Sequence, residues 1–249
     1  MAPEPVLPNE VVTRAVEGMD AIRFGSYDTG TPPLPSPWNP GDDVGKLCKI
    51  EMPQLANKGV YELATHPALA RLAAKVTGAS MVQVWWVQLL YKPPVNPVSI
   101  ISTNVGWHQD RQYWSTWADG SELFTAWVAV SDVSSDAGRP MRFVRGSHKW
   151  GSMNQGDFFG QDHEAQRQEI SPPEGTKWEK IEAILPPGGV SFHQSLTYHA
   201  SGPNLTNGPR RSFAIHMRTE RSEPRSGLKE GDAEFIDLPS HCPVVFGEG

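Results

Sequence analysis

Apolar residues near the start of the chain recur at helical spacing. In EVVTRAVEGMDAI, Val11, Val12, Ala15, Val16 and Met19 fall on one side of a 3.6-residue repeat, which predicts an amphipathic helix. A second helix is predicted in HPALARLAAKVTG, where Leu69, Leu72, Ala73 and Val76 share a side and Gly78 supplies the stop. Residues 25–45, dense in Gly, Pro and Asp around PPLPSP, predict an ordered loop packed on the surface. From Met81 the pattern changes. β-Branched and aromatic residues dominate MVQVWWVQLLYK, LFTAWVAVS, MRFVR, GVSFHQ and RRSFAIHMRT, which read as strands. Turn residues separate them rather than regular helices. A mainly β, closed or double-sheet antiparallel structure is therefore expected, with a jelly roll as the natural candidate and the N-terminal helices flanking it. Residues 151–180 form a long polar excursion between two strands, and loops of that length in compact domains are often lids.

Composition narrows the picture. A chain of 249 residues can bury one sizeable core, and β-barrels of this size commonly form a single domain, expected here over residues 1–249. Lys plus Arg number 22 and Asp plus Glu 28, for a net charge of -6, and no segment concentrates basic residues, so a nucleic-acid partner is not expected. The apolar stretch at residues 81–91 is too short to span a bilayer and carries Gln83 and Gln88. The opening MAPEPVLPNE has no basic flank leading into an apolar run, so no signal peptide is read and a cytoplasmic location is expected. Cys48 and Cys242 lack metal-ligand spacing and are expected to be reduced and structural. The partner expected is a small-molecule substrate, with the chain a monomer or homodimer.

The candidate chemistry begins in GWHQDRQYW. His108 and Asp110 are two apart, and on a strand that spacing sends both side chains to one side. A third ligand would complete a 2-His-1-carboxylate facial triad, which leaves three adjacent positions on Fe(II) open; His199 in LTYHASGPN can supply it. The dipeptide spacing alone is a weak signal, and the combination is what carries weight. His148 in RGSHKWG is expected to order a turn, and His193 in GVSFHQ to be a packed histidine.

WHQD, MRFVRGSHKWG, and YHASGPN followed by GPRRS occur in an order that resembles the phytanoyl-CoA dioxygenase family, over the chain from about residue 49 onward. The resemblance implies a double-stranded β-helix and an Fe(II)- and 2-oxoglutarate-dependent oxygenase that consumes O2, with His108 and Asp110 as ligands on one strand and His199 as the distal ligand. It also implies an Arg eleven positions beyond the distal His that grips the far carboxylate of 2-oxoglutarate, which is Arg210 here. The strand pattern agrees: Arg210 shares a face with Ser212, Ala214, His216 and Arg218, whereas Arg211 lies with Phe213, Ile215 and Met217. A planar guanidinium suits the role because it can hold a carboxylate through two parallel hydrogen bonds. His216 shares that polar face, so both pocket lining and packing are open to it. Lys49, Gln88, Trp127 and Ser201 resemble positions that contact 2-oxoglutarate in the family, Lys and Ser as donors and Trp127 as an apolar wall. Two departures stand out. Arg145 replaces a usual Pro before GSH, and the region ahead of the match is short, beginning at about Leu7, where family members often have a strand and a helix.

The expected reaction is oxidative decarboxylation of 2-oxoglutarate to succinate and CO2, coupled to hydroxylation of a small organic substrate. Three alternatives compete. An Fe(II) halogenase on the same fold would lack the carboxylate ligand, which Asp110 argues against; a catalytically silent metal-binding β-helix would not need Arg210; a Zn hydrolase or isomerase would ignore 2-oxoglutarate. Trp107, Tyr113 and Trp114 flank the metal strand and either face a substrate or pack. Asp157, Asp162, Glu164, Arg167 and Glu169 give the excursion mixed charge, unlike a cradle for a CoA phosphate, which favours a small polar or natural-product substrate.

Overall fold

The computed structural model describes residues 2, 4–94, 103–133, 140–225 and 231–248. Four helices are described, α1 (Asn9–Arg23), α2 (Lys58–Ala64), α3 (Pro67–Thr77) and α4 (His163–Glu169). The strands are β1 (Cys48–Glu51), β2 (Val82–Lys92), β3 (Val105–His108), β4 (Leu123–Ala129), β5 (Met141–Val144), β6 (Lys180–Ala183), β7 (Val190–Gln194), β8 (His199–Ser201), β9 (Arg210–Thr219) and β10 (Val244–Phe246). They form two antiparallel sheets, a larger one in the order β1-β2-β9-β4-β7 with β10 also on β2, and a smaller one in the order β3-β8-β5-β6. This is the expected double-sheet architecture. Among the described residues no helix is long and apolar enough to cross a membrane.

The two faces of the larger sheet do different work. Phe213, Ile215 and Met217 of β9, with Val87 and Leu89 of β2, pack beneath the helical layer, where Val12 and Met19 of α1, Leu63 of α2 and Leu69 of α3 meet them. Alternation then sends Arg210, Ser212, Ala214 and His216 into the space between the sheets, where Ala214, Leu90 and Trp127 meet Met141, Phe143 and Ala183. Arg211, on the helical side, is held by Asp20 of α1 at 2.9 Å.

Local departures from expectation have local causes. Three N-terminal helices are present rather than two: α2 is only seven residues long, too short to show a helical period, and is started by Asn57, whose side chain accepts from the N–H groups of Gly59 and Val60. In α3 the buried side is Leu69, Ala70, Ala73 and Ala74, while Val76 is exposed. Gly78 does end that helix, in the left-handed conformation at φ 64°. In β2 a bulge between Val84 and Trp86 breaks strict alternation, so Val84 and Val87 both face the helices while Trp85 and Trp86 both turn away from them.

Residues 151–180 fold across β3 as a strap instead of standing off it. Gly106 N–H donates to Phe158 O at 2.9 Å, and Asp157 N–H to Trp107 O at 3.0 Å. Gln166 of α4 closes the join, accepting from Trp107 N–H at 2.8 Å and donating to Asp157 O at 2.9 Å. So close an approach requires glycine on both sides: a Cβ at Gly106 would stand 2.2 Å from Asp157 O, and one at Gly156, which has φ +90°, 2.0 Å from Trp107 O.

Candidate metal centre and its two chambers

His108 is the last residue of β3, and Asp110 already opens a one-turn helix, Asp110–Gln112. The hydrogen-bonded strand is thus shorter than expected. The convergence survives because Gln109 keeps an extended backbone, φ -109° and ψ 129°. The buried Gln109 side chain holds it there, donating to Leu196 O at 2.6 Å and Gly151 O at 2.9 Å and accepting from Met153 N–H at 2.9 Å. His199 opens β8 directly across from His108 in the sheet register.

The three side chains come together at one buried point. Asp110 Oδ1 lies 3.6 Å from His108 Nε2 and 3.5 Å from His199 Nε2, and one ligand atom from each residue lies within 4.8 Å of the others. Both imidazoles are aimed by their other nitrogen. His108 Nδ1 sits 2.8 Å from Gly106 O and His199 Nδ1 2.9 Å from Thr197 O. A carbonyl can only accept, so Nδ1 carries the proton and Nε2 presents a lone pair to the shared point. Burial would raise the Asp110 pKa, yet His199, His108 and His193 together outweigh it and hold the carboxylate well below its ordinary value. Burial, reinforced by neighbouring His108, pushes His199 well down, toward the neutral form that a metal needs. The donor set suits Fe(II).

Asp110 Oδ2 points the other way and is restrained separately. Thr125 Oγ1 donates to it at 3.0 Å and in turn accepts from His216 Nδ1 at 2.8 Å, while His193 Nε2 lies 3.3 Å from it. His193 is therefore a packed histidine, as expected, and one that also touches the carboxylate. His216 lines the space beside it, and burial lowers its pKa to about 4. His148 falls in a one-turn helix after β5, Ser147–Trp150, in keeping with a turn role.

On one side of this centre is a small chamber whose lining includes Gln88, Leu90, Lys92, Trp127, Ser201 and Arg210. Arg210 Nη2 lies 3.3 Å from Ser201 Oγ, and its guanidinium carbon 5.6 Å from the centre of the Trp127 ring. Burial brings the Arg210 pKa down to about 10. Lys92, which sequence reasoning missed, stands opposite Arg210 in the β2–β9 register. Its Nζ donates to Ser201 Oγ at 2.8 Å, Gly202 O at 2.9 Å and Ser201 O at 3.1 Å, all neutral oxygens. Burial first, and the charge of Arg210 second, press its pKa well down. Its signal was available in the alternation Gln88, Leu90, Lys92, which continues the inward face of β2.

On the other side lies a larger chamber lined by aromatic rings, among them Trp85, Trp86, Tyr113, Trp114, Phe158 and Phe159. Lys49 is found here and not in the lining of the first chamber; its Nζ is 2.7 Å from Glu51, which also accepts from Trp86 Nε1 at 2.6 Å. Gln88, His108, Asp110, Phe158 and His216 line both spaces and form the partition. Of the three aromatics flanking the metal strand, Tyr113 and Trp114 face the second chamber, whereas Trp107 packs under the strap against Trp178, ring centres 5.0 Å apart.

Comparison with known families matches residues 2–212 to phytanoyl-CoA dioxygenase (PhyH). A search of curated protein sequences gives no match. Solved structures with the same fold include the epimerase SnoN in complex with Fe3+, α-ketoglutarate and nogalamycin RO, at 23% identity, covering 94% of this chain and 83% of that one with a TM-score of 0.66. The α-ketoglutarate-dependent carbocyclase SnoK from nogalamycin biosynthesis follows at 19% identity, 92% and 82% coverage and a TM-score of 0.67. The non-haem monooxygenase ThoJ, in its apo form, is similar at 20% identity, 100% and 80% coverage and a TM-score of 0.66.

Proposed function

The chain belongs to the phytanoyl-CoA dioxygenase family of non-haem Fe(II)/2-oxoglutarate-dependent oxygenases, and from that premise we propose that it hydroxylates a small organic substrate with Fe(II) held by His108, Asp110 and His199. The observation that carries this reading is the convergence of three buried ligand atoms beside a chamber that holds Arg210. Iron, once bound, supplies the oxygen chemistry: 2-oxoglutarate and O2 give succinate and CO2, and the second oxygen atom enters a C–H bond of the substrate.

The protein's own groups bind and orient. Arg210 holds the remote carboxylate of 2-oxoglutarate by a charge-assisted pair, with the Ser201 hydroxyl as a further donor and Lys92 as a second buried cation. Trp127 and Leu90 wall the methylenes and exclude water. Gln88 stands at the boundary, within reach of both chambers. The Thr125 hydroxyl and His193 occupy Asp110 Oδ2, which leaves Oδ1 as the oxygen nearest the two imidazoles and favours a single-oxygen carboxylate ligand. Lys49 and Glu51 satisfy each other in the second chamber, so Lys49 is assigned to substrate-side polarity rather than to the 2-oxoglutarate tail.

The test is succinate release from Fe(II), 2-oxoglutarate and a panel of candidate substrates, with mass spectrometry of the product. A gain of one oxygen atom supports hydroxylation. Succinate release with a product of unchanged mass would keep the co-substrate chemistry and remove hydroxylation.

A further inference from the structure

The second chamber is larger than the first and is walled differently. Trp85 and Trp86 reach it together because of the bulge in β2, Trp114 closes one side, and Phe158 and Phe159 of the strap close another. At its mouth Phe159 is 57% exposed and Tyr113 45% exposed, an apolar rim with no described partner over it. Tyr113 is fixed in place, since its hydroxyl accepts from Phe158 N–H at 2.8 Å. The charged side chains in the lining other than Asp110 are Lys49 and Glu51, which neutralise each other at 2.7 Å. A substrate carrying several phosphates would find no surplus cation here. A flexible alkyl chain would leave the ring faces poorly matched, because aromatic walls reward flat partners at offset-stacked or edge-on distances.

Resting on the reading of the site given above, we infer that this chamber binds an uncharged, flat, ring-containing substrate bearing hydroxyl or carbonyl oxygens. The rings lie between the rim pair Tyr113 and Phe159 and the Trp86 wall. Their oxygens meet the Lys49–Glu51 pair, which offers both a donor and an acceptor. The edge nearest His108 and Asp110 is the one presented for oxidation, since those two residues close the chamber on its inner side.

Binding is measured by quenching of tryptophan fluorescence in the protein loaded with Fe(II) and 2-oxoglutarate under argon, with 1,8-dihydroxyanthraquinone as the flat probe and dodecanol and decanoyl-CoA as comparators. The anthraquinone is expected to bind at least tenfold more tightly than either comparator. Phe159→Ala, at an exposed position that should not affect folding, and Trp86→Phe, which keeps a ring but loses the bond to Glu51, are each expected to weaken it at least fivefold. Equal or tighter binding of decanoyl-CoA or dodecanol, or anthraquinone binding indifferent to both substitutions, overturns the inference. The Fe(II)/2-oxoglutarate reading is judged separately, by 2-oxoglutarate binding to the same samples before any probe is added: its loss would strike at the metal site, whereas normal co-substrate binding with no preference for the flat probe would strike only at the substrate class.

Discussion

The two chambers share a partition but little else. The first is the smaller, has Trp127 and Leu90 among its walls, and holds two buried cations, Arg210 and Lys92, whose charges burial disfavours. The second is larger and aromatic, and apart from Asp110 at the partition its charged side chains, Lys49 and Glu51, are already paired. A buried cation is costly unless an anion or good hydrogen bonds compensate it. On the proposed reading the first space takes the acidic co-substrate and the second whatever its ring-lined walls admit. One strand pair makes both: β2 contributes Gln88, Leu90 and Lys92 to the first chamber and, past its bulge, Trp85 and Trp86 to the second.

The strongest way to break this division is to remove the three proposed metal ligands between the chambers. His108→Ala, Asp110→Ala or His199→Ala should each abolish Fe(II)-dependent succinate formation, with far-ultraviolet circular dichroism confirming the fold; full activity in any one of them would take that residue out of the triad. Next comes the cationic end. Losing a charge-assisted hydrogen bond costs about 1.5 to 3 kcal/mol, roughly tenfold to hundredfold in affinity, so Arg210→Ala should raise the KM for 2-oxoglutarate by that factor. Arg211→Ala, on the opposite face, should leave KM nearly unchanged. It removes a partly exposed pair with Asp20, for which about 0 to 1 kcal/mol of stability is the reasonable range, and a contact over the Tyr91 ring at 5.6 Å. A reversed order of the two arginines would mean that β9 faces the other way.

Lys92→Met is expected to do less than Arg210→Ala, raising the KM for 2-oxoglutarate by a few-fold, because Lys92 already spends its three donors on Ser201 and Gly202. An effect equal to that of Arg210→Ala would make Lys92 a direct carboxylate ligand.

The gentlest probe is pH. His216 has a pKa near 4 in the folded protein against an ordinary 6.5. Between these values the unfolded chain binds a proton that the folded chain does not, so the stability of the metal-free protein should fall as pH drops through that window. The loss from this group is about 3 kcal/mol when complete, below pH 4. Denaturant midpoints should therefore slope less steeply with pH in His216→Gln than in the parent chain; His199, also pushed down by burial, keeps some slope in both. Identical slopes would show that His216 is already protonated when folded.

Much of this arrangement was legible in the sequence because it depends on alternation. RRSFAIHMRT spans β9 from its first residue to its last, and its period of two separates Arg210 from Arg211 without any structure. The triad was legible because three residue types of the right chemistry recur in family order. What was not legible depends on breaks in period or on short pieces. The bulge at Trp85 reverses facing partway along β2, β8 is three residues long, and α2 is a single short helix. The pairing of Lys49 was not legible for a related reason: its long side chain turns to Glu51, two residues away, and lines the second chamber, which sequence spacing alone does not reveal. Lys92 was overlooked because a Lys before two prolines reads as a strand end, whereas the register with Arg210 buries it.

The division of the site is tested most directly by titrating 2-oxoglutarate into the Fe(II)-loaded protein under argon and following the visible charge-transfer absorption that a chelating 2-oxoacid gives with Fe(II). The absorption should form in the parent chain, require about ten to a hundred times more 2-oxoglutarate in Arg210→Ala, and form at the parent concentration in Phe159→Ala. Saturation of Arg210→Ala at the same concentration as the parent, or an equally large shift in Phe159→Ala, would contradict the assignment of 2-oxoglutarate to the cationic chamber.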